Sequence, residues 1–164
     1  MITKKDLEEA LLEIEGTKIL SDGDNVLYFS KGGNRFHIVT FSAPNSSFIN
    51  VKMTKVIKIP DEKTISPTII NNACNRVNLI NGTPSTVIYI PQEEEDGIDH
   101  RIYFSNIYSD KLDNLKKTDS KEELKINIKI IILGMILDLY ITSNDVMKMI
   151  YELKEERRAG KNGE

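Results

Sequence analysis

Few residues of this chain have side chains suited to covalent or metal chemistry. There is one cysteine, Cys74, and there are two histidines, His37 and His100. A zinc site draws its four ligands from closely spaced pairs, and these three residues stand far apart. A thiol nucleophile with a histidine base needs both in one cleft. Cys74 falls instead on the apolar arc of a helix, His37 lies in a strand between Phe36 and Ile38, and His100 stands between Asp99 and Arg101. Structural or surface roles account for all three, so no catalytic residue, no cofactor and no metal ligand is assigned.

Other stretches bear on ligands. Glu93-Glu94-Glu95-Asp96, with Asp99, offers oxygens of the kind calcium takes. It lacks the alternating acids and the glycine of an EF-hand loop, and reads as a solvated hairpin tip. The glycines of KGGN (31–34) lack the longer pattern and the following helix of a phosphate cradle, and read as a two-residue hairpin turn. Lys111, Lys116, Lys117 and Lys121 are interleaved with acids. The whole chain sets 22 Lys and Arg against 25 Asp and Glu, a net charge of −3, with no basic stripe along the sequence. Nucleic acid is therefore not expected as a partner.

The elements that must position these residues follow from periodicity. Thr3 caps a helix whose Leu7, Ala10, Leu11 and Ile14 share one face, ended by Gly16. Extended segments follow at 17–20, 25–30, 35–41 and 48–59, the first three separated by the turns SDGDN and KGGN. In the fourth, Ile49, Val51, Met53, Ile57 and Ile59 share a face, and Lys55-Val56 interrupts the alternation in the manner of a bulge. Ser66 and Pro67 open a helix with Ile69, Ile70, Ala73, Cys74, Val77 and Ile80 inward and Asn71, Asn72, Asn75 and Asn78 on its wet side. Two strands joined by the acidic turn 91–97 come next. Ser120 and Glu123 then form a capping box for a long helix reaching Ile141, and Thr142, Ser143 or Asn144 starts a final helix with Val146, Met149, Ile150 and Leu153 inward. The order α-β-β-β(β)-α-β-β-α-α predicts an α+β domain, an antiparallel sheet of five to six strands with helices on one face. One domain over residues 1–158 with a charged tail at 159–164 fits a chain of 164 residues.

A lone cysteine excludes the disulfide framework of small secreted domains. The opening MITKKDLEEALLEIEG places acids where a signal peptide needs its apolar core, and IKIIILGMILDLYI is interrupted by Gly134 and Asp138. That run is short of the roughly 20 apolar residues of a membrane span. The expectation is a cytoplasmic protein without membrane partners.

The segment "TIINNACNRVNLING…STVIYIPQEEEDGIDHRIYFSN", a helix with an Asn-containing end, a strand, an acidic turn and a strand, resembles the YbjN-like family. These are bacterial proteins, sometimes described as sensory transduction regulators, that share a fold with class-I type III secretion chaperones. The resemblance covers residues 17 to 150 and rests on hydrophobic patterning. It implies a secretion chaperone-like fold, no catalytic residues, and binding to other proteins, usually as a dimer.

The long helix supplies an independent reason to look for a partner. Leu124, Ile128, Ile131, Ile132, Met135 and Leu139 fall in one arc, and Ile126, Ile130, Leu133, Leu137, Tyr140 and Ile141 in a second on the far side. Both faces need cover: one from the sheet, the other from the final helix folding back, a second subunit or a partner protein. Ile126, Ile130, Leu133, Leu137 and Tyr140 are the candidate contacts. The expected function is a non-enzymatic interaction or regulatory domain that binds a polypeptide or itself. Two alternatives stand beside it. One is a small-ligand sensor or enzyme with a pocket lined by Cys74, Tyr89, His100 and Tyr103. The other is an acidic immunity-type protein using Glu93–Asp96.

Overall fold

Thr3 opens the first helix as its spacing predicts. Its backbone N–H donates to Asp6 Oδ2 at 2.7 Å, and Asp6 N–H donates to Thr3 Oγ1 at 3.2 Å, a reciprocal cap for α1, Lys4–Leu12. The computed structural model describes residues 2–23, 25–41, 48–59, 65–80, 85–94, 97–111 and 120–161. After α1 come β1 (Thr17–Asp22), β2 (Val26–Lys31), β3 (Asn34–Phe41) and β4 (Phe48–Ile59), then α2 (Pro67–Ile80), β5 (Thr86–Glu94), β6 (Gly97–Lys111) and α3 (Lys121–Lys161). The strands form one antiparallel sheet in the order β1-β2-β3-β4-β6-β5, so the fold is α+β as the element order predicts.

The chain divides into two compact units, Met1–Lys55 with Ser105–Leu137, and Val56–Phe104 with Asp138–Glu164. In the first, β2 and β3 are joined by Gly32 and Gly33 at φ 55° and 77°, with Lys31 paired to Asn34. Glycine is needed there because a two-residue hairpin turn matched to strand twist has positive φ at both positions. The core of this unit gathers Leu7 and Leu11 from α1, Leu27, Phe29 and Ile38 from the strands, and Ile128 and Ile132 from α3. In the second unit α2 packs on β5, burying Ile70, Ala73 and Val77, with Val146 and Ile150 of α3 also buried.

Three expectations are corrected. The interruption at Lys55-Val56 is not a bulge: β3 pairs with β4 without a register shift up to Lys55, and Lys55 takes an inward position, 4% exposed, between the buried Met53 and the half-buried Ile57. A lysine can occupy such a place because its apolar stem packs like an aliphatic side chain, and burial pulls its pKa below the ordinary lysine value. Ile80 does not complete the inward arc of α2. It sits at the last turn and is exposed, as is Leu79.

The third correction concerns the end of the chain, where the two expected helices are one of 41 residues. Thr142 and Ser143 are buried within it, and Ser143 Oγ donates to the Tyr140 carbonyl at 3.0 Å. Hydroxyl residues start helices when they cap a free N–H, but inside a helix they bond back to the preceding turn. With no proline after Pro91 and no glycine between Gly134 and Gly160, nothing in the sequence stops propagation. The alternating stretch KINIKI (125–130) is helical, as the capping box at Ser120 predicts.

Candidate functional site

Helix α3 begins at Ser120, whose Oγ accepts from Glu123 N–H at 3.1 Å, and Glu122 and Glu123 in the first turn suit the positive end of the helix dipole. Within the first unit its inner side buries Ile128, Ile132, Met135 and Ile136. The outer side carries Ile126, Ile130, Leu133 and Leu137 at 49%, 62%, 39% and 60% exposure. Their spacing of four, three and four residues keeps them on one stripe. Tyr140, the fifth expected contact, is half-buried in the second unit, where Ile141 is exposed. α3 is one helix to Lys161, with no separate final helix, and these four side chains are exposed. Gly134 also faces outward, and a Cβ there would meet nothing within 4 Å.

The pocket residues expected by the ligand-sensor reading are partly brought together in the second unit. Tyr89 Oη lies 2.7 Å from His100 Nδ1, with the two rings stacked at 6.0 Å. Cys74 is close enough for its charge to act on Tyr89, whose phenol is pushed up by burial first and by Cys74 second. Burial pushes the Cys74 thiol up to about 11. An activated thiol requires the opposite shift, from neighbouring positive charge or a helix N-terminus. Tyr103 does not join them. Successive strand residues alternate faces, so Tyr103 shares the side of Asp99 and Arg101, opposite His100, and it hydrogen-bonds Arg101. Two grooves of this unit, of about 190 and 430 Å³, run between α2 and α3 and are lined by other residues, among them Val77 and Met149 in the first and Asn72 and Arg157 in the second.

On the side of Tyr103, the buried Asp99 accepts through Oδ2 from Arg101 Nε at 2.7 Å and pairs with Lys58 Nζ at 3.1 Å. Burial pushes this carboxyl up, but Arg101 and Lys58 together outweigh it and hold it below the usual range. The side chains of the acidic turn Glu93–Asp96, on which the immunity-type alternative rests, lie outside the described residues. Among the described residues no group of three or more His, Cys, Asp or Glu side chains is placed to hold a metal ion. Among them, too, no helix is long and apolar enough to cross a membrane.

One role was not legible in the asparagine-rich helix. Asn71, Asn72 and Asn75 are exposed as expected, but Asn78 reaches β5. Its Nδ2 donates to Val87 O at 2.8 Å, and Val87 N–H donates to its Oδ1 at 2.9 Å. The amide thereby acts as a one-residue strand on the sheet edge. Strand alternation turns the backbone groups of Tyr89 and Pro91 the same way as those of Val87, and Pro91 has no N–H to offer. At the other edge β1 is six residues long and slips register between Ile19 and Ser21. Both edges are thus poor templates for an added strand.

No family model, curated protein or solved structure matches this chain.

Proposed function

We propose that this chain is a non-enzymatic interaction or regulatory domain of the cytoplasm, which binds an apolar polypeptide helix through the outer stripe Ile126, Ile130, Leu133 and Leu137. A second copy of the chain is the simplest occupant. This is the activity implied by the likeness to the YbjN-like and secretion chaperone-like proteins. The observation that carries it is four aliphatic side chains, 39–62% exposed, on one stripe of α3.

Fully burying such a side chain is worth ~1.5–3 kcal/mol, so covering the exposed half yields about 1 kcal/mol each. Eight side chains across a symmetric pair give about 8 kcal/mol, against an association cost of ~4–15 kcal/mol. The balance favours a weak, concentration-dependent complex. Gly134 supports the same reading. A glycine inside a helix costs about 1 kcal/mol relative to alanine, and no neighbour among the described residues needs the space. Close approach of a partner backbone does need it. The blunted sheet edges favour helix docking over strand addition.

Light scattering after size exclusion, run over a concentration series, tests the reading. The wild type is expected to move toward a dimer mass with rising concentration. Ile130→Glu combined with Leu137→Glu should stay monomeric with unchanged circular dichroism, because both side chains face solvent in the single chain. A wild type that remains monomeric at roughly millimolar concentration, where even a −4 kcal/mol association would register, eliminates self-docking.

A further inference from the structure

A second surface, in the first unit and independent of the α3 stripe, has a different chemistry. Register sets Tyr28 opposite His37, and His37 opposite Thr54. Thr54 Oγ1 and Ser105 Oγ, 3.1 Å apart, share a hydrogen bond and carry the row onto β6. With strands about 4.8 Å apart this row crosses four strands in about 14 Å. It lies on the sheet face opposite the buried Leu27, Phe29, Phe36, Ile38 and Met53, and its exposed end is at Tyr28, Thr54 being buried. Tyr28 is 44% exposed, and its ring meets that of His37 at 5.9 Å between centroids.

The flanking rows are two residues away along the strands, about 6.7 Å on either side. One contains Lys18, paired with Ser30, and Arg35, paired with Ser30 from the other strand. The other contains Lys52, paired with Val39. Among the described residues none of these three cations is in an ion pair. Among β1–β4 no described side chain is acidic; on β6, Asp99 has the parity of Ser105 and is engaged by Lys58 and Arg101. Several other cations are matched by acids: Lys5 and Lys121 by Glu9, Lys125 by Glu13 and Glu122, Lys58 and Arg101 by Asp99. The net charge of −3 therefore hides a segregation of charge. At physiological salt the screening length is about 8 Å, so acids on distant elements do little to cancel the potential over this face.

We propose that the outer sheet face of the first unit, where the exposed Tyr28 and the half-buried His37 lie between Lys18, Arg35 and Lys52, binds a short stretch of single-stranded nucleic acid. A base stacks on the Tyr28 ring, which any base can do because each presents a π-face. Backbone phosphates follow the cations on either side, separated by the strand spacing. An acidic peptide satisfies the cations but leaves the aromatic pair uncovered, so nucleic acid is the occupant that uses both features. A duplex fits less well, because its bases are stacked inside and out of reach of a flat sheet.

The test is fluorescence anisotropy of a labelled ten-nucleotide oligouridine titrated with the intact chain, with labelled polyglutamate of similar charge as the competing class. Binding of the oligouridine should fall with salt, with a slope of log K against log salt near −2, from about 0.7 for each of three neutralised phosphates. Tyr28→Ala should weaken it about tenfold, and Lys18→Gln with Arg35→Gln and Lys52→Gln should abolish the salt dependence. All four side chains are at least partly solvent-facing, and circular dichroism confirms that each variant is folded. The His37 ring proton resonance should move on titration while that of His100, on the other unit and face, stays still. Polyglutamate binding as tightly as oligouridine, or Tyr28→Ala binding like wild type, overturns the proposal. So does the absence of oligouridine binding in low salt. None of these outcomes depends on whether the α3 stripe self-associates.

Discussion

Gly33 and Gly134 allow one substitution to be pushed in opposite directions within the same unit. A methyl group added at either meets no atom within 4 Å, so packing contributes nothing and the backbone alone sets the sign. Gly134 lies inside α3 with helical φ, the positive-φ glycines being Gly16, Gly32 and Gly33. Alanine in a helix interior is favoured over glycine by ~0.8–1.0 kcal/mol. Gly134→Ala should therefore stabilise the chain by about 1 kcal/mol. Gly33 sits at φ 77° in the β2–β3 turn, where an L side chain costs roughly 1–2 kcal/mol. Gly33→Ala should destabilise by that amount. Urea unfolding followed by far-UV circular dichroism measures both. With a denaturant slope of about 2 kcal/mol per molar, the midpoints should part by about 1 M in total, Gly134→Ala moving up and Gly33→Ala down. Run at low protein concentration, the experiment isolates the single chain. At higher concentration Gly134→Ala should also weaken association, since the methyl fills the gap left for a partner. If Gly134→Ala lowers the midpoint at low concentration, α3 is not a regular helix at that turn, and the reasoning about the outer stripe fails with it.

Three further outcomes follow from particular groups. Asn78→Ala removes two hydrogen bonds to Val87 and frees the β5 edge; at about 1 kcal/mol net for each bond, a loss of about 2 kcal/mol is expected, with faster amide exchange at Val87, and exchange unchanged from wild type would count against the strand-like role. Cys74, with its thiol pushed up to about 11 by burial, should react with a thiol reagent at pH 8 far more slowly in the native chain than in urea, and equal rates would place it at the surface. His37 has its folded pKa lowered, by burial first and by Lys52 second, so the unfolded chain binds more protons just below the ordinary histidine value. The contribution of His37 to stability is present above about pH 6.5 and is lost as pH falls through the folded value; His37→Gln should flatten that part of the profile, and an unchanged profile would remove His37 as its source.

Much of the scaffold was legible because its signals are local. Thr3 with Asp6, the Gly32-Gly33 turn and Ser120 before Glu123 each depend on a few neighbouring residues, and each appears where its spacing predicts. The failures have a physical pattern. Thr142 and Ser143 read as a helix start because a hydroxyl can serve either as a cap or as an internal bond to the previous turn, and the chemistry of the residue alone does not choose. Ile80 followed the apolar period of α2 but falls on its last turn, beyond its buried residues.

Residue order by itself determined the element types, the two apolar sides of α3 and the scarcity of groups for covalent chemistry. Only the tertiary structure decided that Ile126, Ile130, Leu133 and Leu137 are exposed and that the last two expected helices are one, because helix continuity is a competition among turns that no single residue settles. It also decided that Asn78 seals a strand edge and that Lys18, Arg35 and Lys52 surround Tyr28 and His37. Those residues are scattered over four strands, β1 to β4, and strand register is what brings them onto one face.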